Sequence, residues 1–180
     1  MTVSYFWYPI ADVDENEFTD LAMSLGSVLL GHAYEPVLEA VRLELGKGVN
    51  FCRPSVIEGE LAEMLVDIIP SAEMVKFGKN GSDAVTAAVK VARAYTGRKY
   101  VVRCQNDAFN AIHDWFIGST VLTRGVPEDV QALTLKFKYN DLDSCKKLFD
   151  QYPGQIACFL LEPVSMDIPK DEFLESLKAL

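Results

Sequence analysis

A turn of small residues lies where an apolar stretch, residues 74–78, gives way to a long helical pattern. The turn reads Asn80-Gly81-Ser82. Glycine lets the backbone approach an anion closely, and Ser82 offers both its N–H and its hydroxyl group. The first N–H groups of a helix have no partner within the helix, and the helix dipole adds partial positive charge there. The turn therefore predicts a phosphate site, and plain N-capping by Ser82 is the alternative.

The elements that position this turn alternate between strands and helices. Ser55 and Glu58 form a capping box at the start of one helix, and Pro70 follows its end. We predict strands over residues 74–78, 99–104, 133–138 and 156–161, and helices over residues 35–47, 55–69, 83–95, 142–152 and 171–180. The last strand has almost no polar interruption, as expected of a strand covered on both faces. The alternation predicts an α/β layer with a largely parallel sheet.

Composition limits the classes of partner. The chain has 180 residues, of which 49% are hydrophobic, enough for a packed core, and its net charge is −9. Nucleic acids and anionic membranes call for a concentrated basic patch, so neither is expected as a partner. No apolar run reaches the roughly 18 residues that would span a bilayer. The four cysteines form no C-x-x-C pair and we expect them to be reduced, in a cytoplasmic protein.

An acidic run near the start suggests a calcium loop, which its spacing excludes. A loop beginning at Asp12 would have Glu17 at the sixth position, where glycine is needed. Its twelfth position would be Met23, where a bidentate glutamate is needed. We therefore predict two short strands joined by a turn, and no metal site.

Several motifs together resemble one family. Residues 77–84 read FGKNGSDA and residues 92–98 read ARAYTGR. They resemble the phosphate loop and helix of the class III pyridoxal-phosphate-dependent aminotransferases, and within that family the glutamate-1-semialdehyde aminomutases. The family usually shows Ser-Gly-Thr-Glu-Ala, then Ala-Arg and Thr-Gly-Arg, at this spacing. Leu-Gly-His at residues 30–32, Glu-Pro at residues 162–163 and FNAIHDW at residues 109–115 are also similar to family motifs.

The resemblance implies a fold and an assembly. The fold would be a fold-type I transferase, with a mostly parallel sheet and helices on both faces. Residues 1–50 would contribute to a small domain, and residues 51–180 would form part of the large, cofactor-binding domain. In this family the active site lies at a homodimer interface, so we expect self-association, which the exposed sheet edge of a partial domain would favour.

The resemblance also implies site residues for pyridoxal 5′-phosphate. Gly81 and Ser82 would donate to the phosphate, and Phe109 would stack on the pyridine ring. Asn110 stands where the family usually has histidine, which exchanges a titratable imidazole for a neutral amide. Glu162 would lie near the ring, where a carboxylate biases protonation. Asp83 would have to point away from the phosphate, toward Lys79 or a backbone donor.

Ordinary structural roles remain open for several of these residues. Phe109 could be a core side chain, and Glu162 could be a surface acid at a strand end. Arg53 could hold a substrate carboxylate in a bidentate clamp or be a solvated loop residue. His32 and His113 are interpreted as structural histidines, because no nucleophile or metal-ligand spacing accompanies them.

The implied reaction is amino-group transfer on an amino or keto compound, with the cofactor as electron sink. It requires a lysine that forms a Schiff base with the cofactor. In the family that lysine follows an Asp-Glu-Val strand whose aspartate pairs with the pyridine nitrogen, and the 180 residues contain neither. We therefore assign no catalytic residue. The sequence is expected to be the first half of such an enzyme, as a fragment or a naturally reduced form, or else a catalytically inactive scaffold.

Overall fold

The computed structural model describes residues 9–107, 111–164 and 167–180. It divides into two compact units, Met1–Val75 and Lys76–Leu180. The predicted assignment of residues 1–50 to a small domain concerns a complete transferase and stays a prediction. Among the described residues, no helix is long and apolar enough to cross a bilayer.

The first unit contains a hairpin. Strand β1 (Pro9–Ala11) pairs antiparallel with β2 (Glu17–Thr19), which places Ile10 opposite Phe18. In the turn, Asp12 Oδ1 accepts hydrogen bonds from the N–H of Asp14 at 2.9 Å and from that of Asn16 at 3.0 Å. The predicted pair of short strands is therefore confirmed, and the acidic run forms a hydrogen-bonded turn.

Two helices follow in the first unit, α1 (Glu35–Leu45) and α2 (Val56–Ile68). The capping box of α2 forms as predicted, because the Glu58 carboxylate accepts a hydrogen bond from the Ser55 N–H at 2.7 Å. Both helices are fully described, and neither contains a buried residue. Their apolar positions, spaced for burial, are therefore largely exposed to solvent within this unit.

The second unit is an α/β layer. Its elements in chain order are α3 (Gly81–Thr96), β3 (Tyr100–Cys104), α4 (Asp114–Ile117), α5 (Glu128–Gln131), β4 (Thr134–Phe137), α6 (Leu142–Gln151), β5 (Ile156–Leu160) and α7 (Phe173–Ala179). Strand β3 is central and pairs in parallel with β4 on one side and β5 on the other. The predicted parallel sheet is confirmed, whereas the four-residue helices α4 and α5 were not predicted.

Alternate residues of β3 enter two separate hydrophobic clusters. Val101 packs with Val89 of α3 and Trp115 of α4, and Val102 packs with Phe137 and with Cys145 of α6. Because successive side chains of a strand point to opposite faces, helices cover both faces of the sheet, as predicted. All four cysteines lie in the described residues and are free thiols. Burial raises the pKa of the thiols of Cys104, Cys145 and Cys158.

The strand predicted over residues 74–78 is wrong. These residues have irregular backbone and pair with no strand of the described chain. Met74 is 88% exposed and Phe77 is 37% exposed. A strand is stabilised by its ladder of hydrogen bonds, so an apolar, extended sequence without a neighbour stays irregular.

Candidate functional site

Helix α3 runs antiparallel to the strands because its end joins β3 through a tight turn. Gly97 ends the helix in the left-handed conformation, at φ 66°. Arg93 Nε donates to the Lys99 carbonyl at 2.9 Å, and Arg98 donates to the Ile156 carbonyl at 3.2 Å. The Ala-Arg and Thr-Gly-Arg motifs therefore fasten the helix to the amino ends of the strands. The start of α3 returns to their carboxyl ends, where α/β sheets bind ligands.

The start of α3 is capped by Asn80. Asn80 Oδ1 accepts a hydrogen bond from the Asp83 N–H at 3.0 Å, and the Asn80 carbonyl accepts one from the Ala84 N–H at 3.1 Å. The helix thus begins at Gly81, two residues earlier than predicted, and Ser82 lies in its first turn. The alternative role of Ser82 as N-cap is wrong. The Gly81 and Ser82 N–H groups lie at the amino end of the helix, where the dipole is positive.

The space beside Gly81 is open. Apart from the residues next to it and the backbone of its own helix, a Cβ atom built on Gly81 would meet no heavy atom within 4 Å. No more distant part of the described chain therefore fills the space that a side chain at position 81 would take. These features fit a phosphate group at the start of α3, the place predicted for it.

The carboxylate of Asp83 is paired with a histidine. Asp83 Oδ1 lies 3.8 Å from His113 Nε2, and this contact replaces the expected one with Lys79. Within the described chain, His113 Nδ1 is buried and has no hydrogen-bond partner. When protonated, His113 offsets the charge that Asp83 would present to a neighbouring anion. His113 was interpreted as a structural histidine, and its contact with Asp83 gives it an electrostatic role as well.

Helix α4 is held between α3 and the sheet by Trp115, which is 5% exposed. Its indole Nε1–H donates to Thr86 Oγ1 at 2.8 Å, and its carbonyl accepts from Thr134 Oγ1 at 2.5 Å. The chain between β3 and α4 is therefore held in place where it reaches α4. Phe109 and Asn110, which the sequence assigned to the cofactor, come between β3 and α4 in the sequence and lie outside the described residues.

A buried arginine in β3 was missed by sequence reasoning. Arg103 is 4% exposed, and its guanidinium donates to Ser119 Oγ at 2.6 Å, to the Ser119 carbonyl at 3.2 Å and to the Cys104 carbonyl at 2.8 Å. It also lies 4.7 Å from the centre of the Phe116 ring. Burial lowers its pKa, and the nearby Asp107 opposes that shift. The sequence did contain a signal for this buried arginine, namely a charged residue between valine and cysteine within a predicted strand.

Glu162 lies exposed at the carboxyl end of β5. Its backbone N–H is 3.5 Å from Asp107 Oδ2, which connects the loops that follow β5 and β3. Glu162 and Gly81 are thus at the same edge of the sheet. Arg53 is exposed between α1 and α2, in the other unit. Its role in substrate binding stays a prediction.

His32 also has a carboxylate partner, in the first unit. Its Nε2 lies 2.7 Å from Asp20 Oδ2, and Asp20 Oδ1 accepts the N–H groups of Ala22 at 3.1 Å and of Met23 at 2.9 Å. Hydrogen bonding to His32, and then to the Met23 N–H, lowers the pKa of Asp20. Asp20 therefore joins the turn at residue 22 to the Leu-Gly-His motif, as expected of a structural histidine.

Comparison with known proteins decides the family. The model of the class III aminotransferases matches residues 8–180. This chain belongs to that family. A curated member, the glutamate-1-semialdehyde 2,1-aminomutase of Francisella philomiragia, is 37% identical over 182 residues that cover 94% of this chain. The family and the aminomutase likeness inferred from the motifs are confirmed.

Solved structures of this aminotransferase family confirm the fold. An omega-transaminase from Sphaerobacter thermophilus superposes with a TM-score of 0.87 at 27% identity, covering 99% of this chain. A transaminase with PLP bound superposes with a TM-score of 0.89 at 28% identity, covering 99% of this chain. The chain spans 42% of the length of the Francisella relative and 45% of each of these two structures.

Proposed function

We propose that this aminotransferase-family chain binds pyridoxal 5′-phosphate and belongs to a protein that transfers an amino group on an amino or keto compound. The observation that carries the proposal is the open first turn of α3 at the carboxyl edge of a parallel sheet. Beyond the residues next to it and the backbone of its own helix, Gly81 has no heavy atom within 4 Å of the position of a Cβ, and Asn80 Oδ1 accepts a hydrogen bond from the Asp83 N–H. The PLP-bound transaminase and the aminomutase among its relatives support the choice of ligand and reaction.

The residues of the chain would divide the binding of the cofactor between them. Gly81 and Ser82 would hold the phosphate through backbone N–H groups and the serine hydroxyl. Phe109 would contact the face of the ring, and Asn110 would offer a neutral amide in place of an imidazole. Glu162, at the end of β5, would place a carboxylate near the ring.

When bound, pyridoxal phosphate supplies an electron sink for the transfer of an amino group. The residues of this chain hold and orient it. A protonated His113 would offset the charge of Asp83, 3.8 Å away, at the start of α3. Arg53 would bind a substrate carboxylate with its planar guanidinium. The Schiff-base lysine is not assigned to any residue of this chain.

We also propose that the chain associates with itself through the apolar side of the first unit. An open groove of about 800 Å³ lies between the end of α1 and the start of α2 and is lined in part by Val41, Leu45 and Phe51. These three side chains are 48%, 56% and 58% exposed. Contiguous exposed apolar surface of this kind is typical of protein interfaces.

A comparison of two ligands tests the cofactor proposal. Purified chain is titrated with pyridoxal 5′-phosphate and with pyridoxal, and binding is followed by visible absorbance and by quenching of tryptophan emission. We expect the phosphorylated ligand to bind at least about tenfold more tightly, since charge-assisted hydrogen bonds hold its phosphate. Equal affinity would contradict the assigned phosphate site, and absence of binding would favour the inactive-scaffold alternative.

Borohydride treatment of the same mixture tests the assignment of the lysine. Reduction fixes a cofactor that is attached to a lysine, and peptide mapping then locates the attachment. We expect no single lysine to be labelled stoichiometrically. Labelling of one lysine would overturn the statement that the Schiff-base residue lies outside these 180 residues.

A further inference from the structure

Two consecutive residues after β4 hold the backbone that follows β5. The Tyr139 hydroxyl donates a hydrogen bond to the Pro163 carbonyl. Asn140 Nδ2 donates to the Ile168 carbonyl at 3.0 Å, and Asn140 Oδ1 accepts from the Lys170 N–H at 3.0 Å. The chain after β5 is thus fastened at three points to the chain after β4.

Asn140 has the backbone conformation that this arrangement requires. Its φ is 59°, in the left-handed region that non-glycine residues rarely adopt. Asparagine tolerates this region better than most residues because its short amide can bond locally. Here both polar groups of the amide are used, on backbone atoms 28 and 30 residues away. The side chain therefore bridges two segments of the chain at the edge of the sheet.

Tyr139 is suited to act as a donor. Its ring lies 5.1 Å from that of Phe173 at the start of α7, which fixes the direction of the hydroxyl. Loss of solvent around the phenol raises the pKa of Tyr139 above its ordinary value of 10.0, so the hydroxyl keeps its proton at neutral pH. A protonated hydroxyl donates to a carbonyl oxygen, as the contact with Pro163 requires.

The contact at Pro163 determines where Glu162 lies. Glu162 precedes Pro163 directly, and its own N–H lies 3.5 Å from Asp107 Oδ2. The backbone at residues 162–163 is thus held by Asp107 after β3 and by Tyr139 after β4. In the sheet order β4-β3-β5, both of these strands lie on the same side of β5.

We propose that Tyr139 and Asn140 are positioning residues, which fix the backbone after β5 and thereby the place of the Glu162 carboxylate at the edge of the sheet. The proposal rests on the proposed function in one respect, that Glu162 lies beside the ring of the cofactor. The clamp itself, meaning the three hydrogen bonds of Tyr139 and Asn140, stands on contacts within this chain.

Hydrogen exchange tests the clamp without any ligand. In Asn140→Ala, the Lys170 amide loses its acceptor, and we expect it to exchange about tenfold faster. In Asn140→Asp, a carboxylate oxygen still accepts, and the Lys170 amide should stay protected. Unchanged protection of Lys170 in Asn140→Ala would overturn the clamp, and so would equal loss in both variants.

Ligand binding tests the positioning role. Tyr139→Phe keeps the ring against Phe173 and removes only the hydroxyl. We expect its affinity for pyridoxal 5′-phosphate to fall several-fold while its affinity for inorganic phosphate stays unchanged, because the start of α3 is untouched. Tyr152→Phe, at a half-buried tyrosine directly after α6, is the matched control and should leave both affinities unchanged. Equal loss of both affinities in Tyr139→Phe would show a merely structural role and overturn the proposal.

The two measurements separate the clamp from the proposed function. If the unmodified chain does not bind pyridoxal 5′-phosphate, the proposed function fails, and hydrogen exchange at Lys170 still decides the clamp. If the cofactor binds and Asn140→Ala leaves the Lys170 amide protected, the proposed function stands and the clamp fails.

Discussion

The indole N–H of Trp115 donates a hydrogen bond to the hydroxyl oxygen of Thr86 over 2.8 Å. Thr86 lies in the second turn of α3, and Trp115 lies in α4. This bond joins the helix that begins at the predicted phosphate site to the short helix that follows β3 in the chain. It lies within an apolar cluster, and together with the contact between Asp83 and His113 it links the two helices.

Thr86→Val removes the acceptor and keeps the shape of the side chain. The buried indole N–H is then left without its partner, so we expect the free energy of unfolding to fall by about 1–3 kcal/mol. Urea denaturation followed by tryptophan emission measures the change. Thr86→Ser keeps the hydroxyl and is the control. Equal loss in the valine and serine variants would show that packing, and not the hydrogen bond, is responsible.

Gly81→Ala tests the approach of an anion to the backbone. Beyond the residues next to Gly81 and the backbone of its own helix, the added methyl group meets no heavy atom within 4 Å, so the fold should be unaffected. If a phosphate group occupies that space, we expect its affinity to fall about tenfold, as for one lost charge-assisted hydrogen bond. Isothermal titration with pyridoxal 5′-phosphate measures the change.

Gly59→Ala is the matched control for this variant. Gly59 lies within α2, and a Cβ there also meets no heavy atom within 4 Å. Alanine should stabilise α2 by roughly 0.5–1 kcal/mol and leave ligand binding unchanged. If Gly81→Ala binds the ligand as well as Gly59→Ala does, the phosphate does not approach Gly81.

Elements that depend on interactions between residues close in sequence were predicted correctly, whereas some elements that depend on distant residues were not. Helix α2 was found from Ser55, Glu58 and Pro70, because capping and termination are local. The strand at residues 74–78 was wrong, because a strand depends on a neighbour that local sequence does not specify. Helix α4 is four residues long, too short for a periodic pattern, and tertiary contacts through Trp115 hold it.

In the candidate site, too, residues marked by a local motif were predicted, and a residue defined by distant contacts was not. Gly81 and Ser82 were placed by motif, and the structure puts them at the amino end of α3. N-capping by Ser82 was the alternative to the phosphate site, and Asn80 provides the cap; both residue types cap helices well. Arg103 was missed because its partners, Ser119 and Phe116, are distant in sequence. Phe109 and Asn110 stay predictions.

Arg103→Lys tests the buried guanidinium. A single ammonium does not reach the Ser119 hydroxyl and the carbonyls of Ser119 and Cys104 together, so we expect a loss of about 1–3 kcal/mol in stability. Thermal and urea denaturation measure it. Arg124→Lys, at an exposed position, should change stability by less than about 0.5 kcal/mol. Similar values for the two variants would contradict a structural role for the Arg103 hydrogen bonds.

The Asp20 and His32 contact predicts a pH dependence. The pKa of Asp20 is lowered from 3.8, so its contribution to stability is present above pH 3.8 and is lost as the pH falls through the lower, folded value. NMR titration of the Asp20 carboxyl carbon should give a midpoint below 3.8. In His32→Leu the midpoint should rise toward 3.8. An unchanged midpoint in that variant would remove His32 as the main cause of the lowered pKa.

Self-association should depend on the groove between α1 and α2. A double variant, Val41→Lys with Leu45→Lys, introduces two charges into that apolar surface, and we expect a smaller species in light scattering after size-exclusion chromatography. Val13→Lys, at an 83% exposed hairpin residue, is the control. A double variant with the mass of the unmodified chain would exclude this surface as the interface.

Helix α3 is fastened to the sheet at its end by Arg93 and Arg98, and it is joined to α4 near its start by the bond between Thr86 and Trp115. Its sixteen residues therefore fix both the distance and the angle of rotation about the helix axis between its end and its start. Each residue inserted between them would advance the start by about 1.5 Å and rotate it by roughly 100°. The donors of Gly81 and Ser82 would then face a different direction. A change in the number of residues in this helix would therefore displace the proposed phosphate site, whereas an exchange of an exposed side chain along it would leave the site in place.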